Sequence, residues 1–167
     1  MRRSFLLLLT LLTVASCEAR RPDHLRYGRP SREDAVLEST GFALGYREAD
    51  EQAAWVAYAL TAAELSAPSH TRKDAFVEDP RVPSGSATAA DYKASGYDRG
   101  HLAPFADMDW SAASARESFW FSNMSPQLPE FNRGIWKDLE EWVRDQARER
   151  GSLWVVTGPV LDAFYSI

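Results

Sequence analysis

Tyr97-Asp98-Arg99-Gly100-His101-Leu102-Ala103-Pro104 decides how the rest of this chain is read. The chain has three histidines, His24, His70 and His101, and only His101 stands in a compact run beside an acid, an arginine and a glycine. An imidazole near its ordinary pKa takes a proton from water at neutral pH. A neighbouring guanidinium holds a phosphate in a fixed orientation. Gly100 allows a sharp turn, or a close approach of the backbone to a ligand. The bland alternative is a turn histidine bonded to nearby backbone, and a second group must partner the motif before chemistry is preferred.

That second group lies on a helix expected from Asn132 to Arg150, with Gly151 as its C-terminal cap. Ile135, Leu139, Val143 and Ala147 recur every four residues as its expected apolar stripe, broadened by Trp136 and Trp142. Asn132, Trp136, Glu140 and Arg144 form another row at the same spacing. Each step advances about 400°, so the row drifts by only about 40° per step and stays on one side. Read alone, Asn132 is equally a helix cap, and Glu140 with Arg144 equally a surface ion pair. Five basic and five acidic residues balance along the helix, which excludes a long basic recognition face.

Around this pair the chain alternates short elements. Gly41–Tyr46 reads as a short strand or turn, and Trp55–Thr61 as a buried strand whose alanines leave a helix open. Phe76-Val77 lies in an extended, proline-limited segment. Asp107–Glu117 reads as a loop entering a short helix. Phe119–Met124 is an apolar extended piece stopped by Ser125-Pro126, and Leu153–Thr157 reads as a central strand turned by Gly158-Pro159.

The 167 residues suffice for one core. The first of them look different from the rest: a basic Met1-Arg2-Arg3, then an apolar run from Phe5 to Val14, ending at Val14-Ala15-Ser16-Cys17. The run is short for a membrane span and reads as a signal peptide. Val-Ala-Ser-Cys resembles the lipobox of bacterial lipoproteins, and cleavage after Ala19 is the alternative. Residues 1–17 are thus expected to be a signal peptide ending at a lipid-accepting Cys17, 18–38 a linker or arm, and 39–167 the folded domain. Either route sends the protein out of the cytoplasm, membrane-anchored, periplasmic or secreted, with no disulfide within one chain. The formal charge is −5, and losing Arg2 and Arg3 with the leader makes the remainder more acidic. That argues against broad electrostatic capture of nucleic acid, but leaves room for a small basic pocket.

Taken together, Asp91-Tyr92, Ser95–Pro104, Ser122–Gln127, Phe131-Asn132, Trp136, Leu139-Glu140, Arg144 and Val155–Val160 resemble the DNA/RNA non-specific endonucleases, the endonuclease G-like family. The resemblance covers roughly residues 40 to 160. It implies an α+β fold of the ββα-metal type, with a central antiparallel sheet and a metal-site helix, the ββα unit running from about Tyr92 to Arg150. It implies His101 as general base and Asn132 as the protein ligand of one divalent ion, magnesium or another hard cation such as manganese. Glu140 would orient water at that ion, and Arg144, Arg99 and Arg72 would lie near the scissile phosphate. Asn123 would frame the site and support its loop. DNA and RNA are the implied substrates, cut to 5′-phosphate ends. Two rivals remain open: a phosphodiesterase of smaller diesters, which an acidic surface suits, and a non-catalytic remnant binding phosphate or protein. Members of the family continue well past the Gly-Pro-Val segment, so the C-terminal strands are expected to be missing here. That leaves either a shortened copy or a form completed by a homodimer.

Overall fold

The computed structural model describes residues 23–67 and 69–161; the expected leader with Cys17 lies outside the described residues. The larger sheet is antiparallel, in the order β1-β2-β3-β6, with β1 at Ala35–Glu38, β2 at Ala43–Arg47, β3 at Gln52–Thr61 and β6 at Ser152–Thr157. A second, two-stranded sheet pairs β4 (Asp98–His101) with β5 (Met124–Gln127). Short helices α1 (Ala89–Tyr92), α2 (Phe105–Met108) and α3 (Ala112–Glu117) fill the connections. The long helical segment opens with α4 (Pro129–Phe131), widens into a π-turn at Asn132–Trp136, and continues as α5 (Lys137–Arg150). This is an α+β architecture in which β4, β5 and α5 form the ββα unit.

β3 is a strand, not a helix, because both of its faces find cover. Val56, Tyr58 and Leu60 enter the main core with Phe42, Leu44 and Tyr46, and Trp55 and Ala57 pack on the opposite face with Ala43. Burying a large apolar side chain contributes about 1.5–3 kcal/mol, so these residues carry much of the stability. The alanines on the second face leave room for the chain before β1. His24 Nδ1 accepts a hydrogen bond from the Ala59 N–H at 3.3 Å, and Tyr27 meets Trp154 edge-on at 5.2 Å.

Five expectations change. The 18–38 segment is not merely an arm, since β1 pairs with β2 and the stretch before it lies on the sheet. β6 is not central: among the described residues it is an edge, paired with β3 alone, and Val156 is 58% exposed. Phe119–Met124 is not one extended piece, because Phe121–Asn123 coil into a 3-10 turn before β5 begins. Helical structure starts at Pro129, where a fixed φ suits a first turn, so Asn132 is inside the helix and not its cap. Finally, the stripe is buried only at its far end. Ala147 is in the core and Val143 packs on it, but Ile135, Leu139 and Trp142 are exposed. Gly151, with φ of 84°, closes α5 in the left-handed region, as expected.

Candidate active site

His101 is the last residue of β4, opposite Met124 of β5. Gly100 before it is required by packing and not by a turn: a Cβ there would lie 2.1 Å from Cδ of Gln127. The imidazole sits edge-on to Phe119, with centroids 5.3 Å apart, and against Phe76. It is nearly enclosed, and its Nε2 is buried with no hydrogen-bond partner among the described residues. Burial, then the nearby Arg72 and Arg99, pull its pKa down to about 3, against an opposing pull from Asp74. The ring is therefore neutral at physiological pH, the form that accepts a proton. Phe76 is held in place by its neighbour Val77, whose N–H donates to Phe119 O at 3.3 Å and whose carbonyl accepts from Phe121 N–H at 2.9 Å.

The helix meets β4 at two points. Trp136 Nε1–H donates to the His101 carbonyl at 3.3 Å. Asn132 Nδ2 donates to Asp98 Oδ2 at 3.0 Å, and Arg133 clamps the same carboxylate with Nε at 2.7 Å and Nη2 at 2.6 Å. These bonds hold the Asp98 carboxyl below its usual pKa, Arg133 contributing most. A carboxylate only accepts, so it takes the amide NH2 of Asn132 and leaves Oδ1 without a hydrogen bond among the described residues. The π-turn, with Gly134 at non-helical φ −105° and ψ −113°, adds a residue between Asn132 and Glu140. Both side chains still line one cavity of about 280 Å³, with Arg72, Arg99, His101 and Lys137. Burial pushes Glu140 up to about 7, helped by Asp107 and opposed by Arg144.

Five of the seven residues expected at the site thus surround one cavity. Arg99 lies over the Phe76 ring at 4.0 Å, and Arg72 over Phe119 at 5.5 Å with its Nε on Asp74 at 2.6 Å. The other two stand behind it. Arg144 does not line this cavity; it is turned inward, 12% exposed at its side chain, with Nη1 on Asp107 Oδ1 at 3.0 Å. Asn123 is fully buried: Oδ1 accepts from Ala103 N–H at 2.9 Å, and Nδ2 donates to Ala103 O at 2.9 Å and Ser118 O at 2.8 Å. It fastens the loop after His101, which is a framing role and not contact with a reacting group.

Sequence reasoning passed over Asp98, although it adjoins Arg99 in the motif. It also passed over Asp107, buried at 1% exposure and bonded by Tyr58 OH at 2.8 Å. That acid and tyrosine are far apart in sequence, and only the fold pairs them. His70 is exposed, with Nδ1 2.7 Å from Asp109 O.

Among the described residues no group of three or more His, Cys, Asp or Glu could hold a metal. The donor set instead offers one neutral oxygen left without a hydrogen bond among the described residues, Asn132 Oδ1, on a residue that lines a cavity together with Glu140 and three arginines. That fits a hard divalent ion whose remaining ligands are water and substrate oxygens, and it does not fit a soft or closed structural site.

A profile of the DNA/RNA non-specific endonuclease family matches residues 20–165. A nuclease of Syncephalastrum racemosum is 40% identical over 142 residues, covering 83% of this chain and 44% of that protein. Human mitochondrial endonuclease G is 37% identical over 137 residues, covering 81% and 46%. A crystal structure of the EndoG/EndoGI complex superposes with a TM-score of 0.76 at 32% identity, covering 81% of this chain and 57% of that one. The chain spans about half the length of the curated relatives it matches. With His101 ending a strand, Asn132 on the facing helix and an arginine-lined cavity between them, the chain belongs to the DNA/RNA non-specific endonuclease family, in its endonuclease G-like ββα-metal branch.

Proposed function

We propose that this chain hydrolyses phosphodiester bonds in DNA and RNA without reading sequence, in a reaction that needs magnesium or another hard divalent cation. The observation that carries this reading is the single cavity shared by His101, Asn132, Glu140, Arg72 and Arg99. The neutral His101 takes a proton from the attacking water as its oxygen bonds to phosphorus. The bond from phosphorus to the 3′ oxygen breaks on the far side, leaving a 5′-phosphate and, after protonation from solvent, a 3′-hydroxyl. Arg72 and Arg99 hold the phosphate oxygens and steady the charge that grows on them. Glu140, through its carboxyl, orients water beside the amide oxygen of Asn132. A bound divalent ion would be held by Asn132 Oδ1 and would supply charge neutralisation at the phosphate. Asn123 and Arg144 act behind the cavity, as positioning residues. Arginine contacts to the scissile phosphate explain indifference to base and sugar at the bond that is cut.

The leader supports an extracytoplasmic site of action, with a lipid on Cys17 as its membrane anchor. Intact mass of the purified protein distinguishes a diacylated Cys17 terminus from plain cleavage. For the chemistry, the protein is mixed with supercoiled plasmid and single-stranded RNA, in magnesium and in EDTA, beside His101→Ala. Magnesium-dependent nicking and RNA loss, both abolished by the substitution, with ends ligatable without prior phosphorylation, are expected. A protein that melts cooperatively yet cuts neither polymer overturns the reading, and turnover of small diesters alone would replace it with the phosphodiesterase.

A further inference from the structure

A second, larger cavity of about 500 Å³ opens beside the first and shares Arg72, Arg99 and Asn132 with it. Its far rim is built by α1 and the turn after it, which bring Lys93 and Tyr97 to the same space. This rim is fixed in shape. Thr88 and Asp91 close a reciprocal capping box on α1. Ser95 Oγ donates to Tyr92 O at 2.9 Å and accepts from Tyr97 N–H at 3.1 Å, while Ala94 and Gly96 take φ of 59° and 85°. The carboxylates of the cavity are already committed, Asp74 to Arg72 and Asp98 to Arg133 and Asn132. Lys93 and Arg99 form no salt bridge among the described residues. What remains is a groove lined by two cations outside salt bridges and by the half-buried Tyr97, sharing residues with the cavity at His101.

We propose that this cavity is a subsite for the nucleotide next to the scissile phosphate, on one side of it only. Lys93 receives the following phosphate and Tyr97 packs on the sugar or base. The inference rests on the nuclease reading and adds a direction to it: the chain is gripped more firmly on one side of the cut. A point charge and an aromatic face are both tolerant of sequence. They also answer how an acidic protein holds a polyanion, through a local cluster and not through its net charge.

Binding of a labelled single-stranded oligonucleotide is followed by anisotropy in EDTA across a salt series, for the intact chain and for Lys93→Ala, Tyr97→Ala and Arg148→Ala. Losing one phosphate contact to a single strand should lower the salt slope by about 0.7 in Lys93→Ala. Tyr97→Ala should weaken binding at least about fivefold with the slope kept. Arg148 is exposed and paired with Asp145, so its substitution should change neither. In magnesium, kcat/KM is then measured on oligonucleotides extended one nucleotide at a time on either side of a single cleavable bond. Extension on one side should raise it, and Lys93→Ala should shrink that gain. A Lys93→Ala protein with the slope and affinity of the unaltered chain overturns the subsite, as does a gain equal on both sides. A slope effect without any cleavage leaves the subsite standing and overturns the nuclease reading alone.

Discussion

The cavity side of α5 and its outer side are built to opposite standards. On the cavity side the acids and the buried amide that support the site have assigned partners, and two groups left open among the described residues, His101 Nε2 and Asn132 Oδ1, belong to residues that line the cavity. Asp98 is held by Asn132 and Arg133, Asp107 by Tyr58 and Arg144, and Asn123 makes three bonds to backbone. On the outer side Leu139 and Trp142 of α5 stand exposed, as do Leu128, Phe131 and Ile135 in the turns before it. The difference teaches that the apolar pattern of a helix reports more than its own core.

The comparison can be broken most severely at the cavity. His101→Ala should lower kcat by about 100- to 10,000-fold, the range for loss of a general base, as read by plasmid nicking. Asp107→Ala should cost about 3–5 kcal/mol in urea unfolding, because it leaves the guanidinium of Arg144 buried without its partner. Asn123→Ala should cost about 3 kcal/mol or more, since two carbonyls and one N–H lose their partners away from water.

A pH series sharpens the contrast further. His101 has a folded pKa near 3 against 6.5 unfolded, so the unfolded chain binds more protons between these values. Stability should therefore fall as pH drops through that window. Glu140 runs the other way: with its pKa raised to about 7, the folded chain binds more protons from about 4.5 to 7 and loses stability as pH rises. In EDTA, Glu140→Gln should therefore steepen the rise of unfolding free energy between pH 4.5 and 7. An unchanged profile would contradict the burial of Glu140. On the outer side, Ile135→Gln and Leu139→Gln should each change stability by no more than about 0.5 kcal/mol in the same assay. A loss of several kcal/mol would mean that this face is covered in the folded protein.

The sequence was most legible where chemistry sits in contiguous runs. His101, Asn132 and Glu140 could be named as candidates because the runs that carry the family resemblance are readable without knowledge of the fold. It was least legible where one residue answers another across the molecule. Gly100 looks like a turn residue until Gln127 is seen packing where its side chain would be. Arg144 continues the row of four, but Asp107 draws it inward, and nothing near either residue announces the other. The stripe of Ile135 and Leu139 has helical periodicity whichever side is covered, so period predicted a helix correctly and its buried face wrongly. β6 likewise has the composition of a central strand, although among the described residues it pairs with β3 alone.

An asparagine side chain is almost symmetrical in outline and opposite in character at its two tips. Left alone, Asn132 could offer the cavity either tip, and the two choices differ in whether a cation is welcomed or repelled. Asp98 breaks that symmetry, because an anion can pair with only one of them. Arg133 in turn keeps this anion occupied, so it does not itself become a ligand. Replacing Asp98 by asparagine would alter hardly any volume, yet it would restore the ambiguity, and the cavity would lose its polarity while keeping its shape.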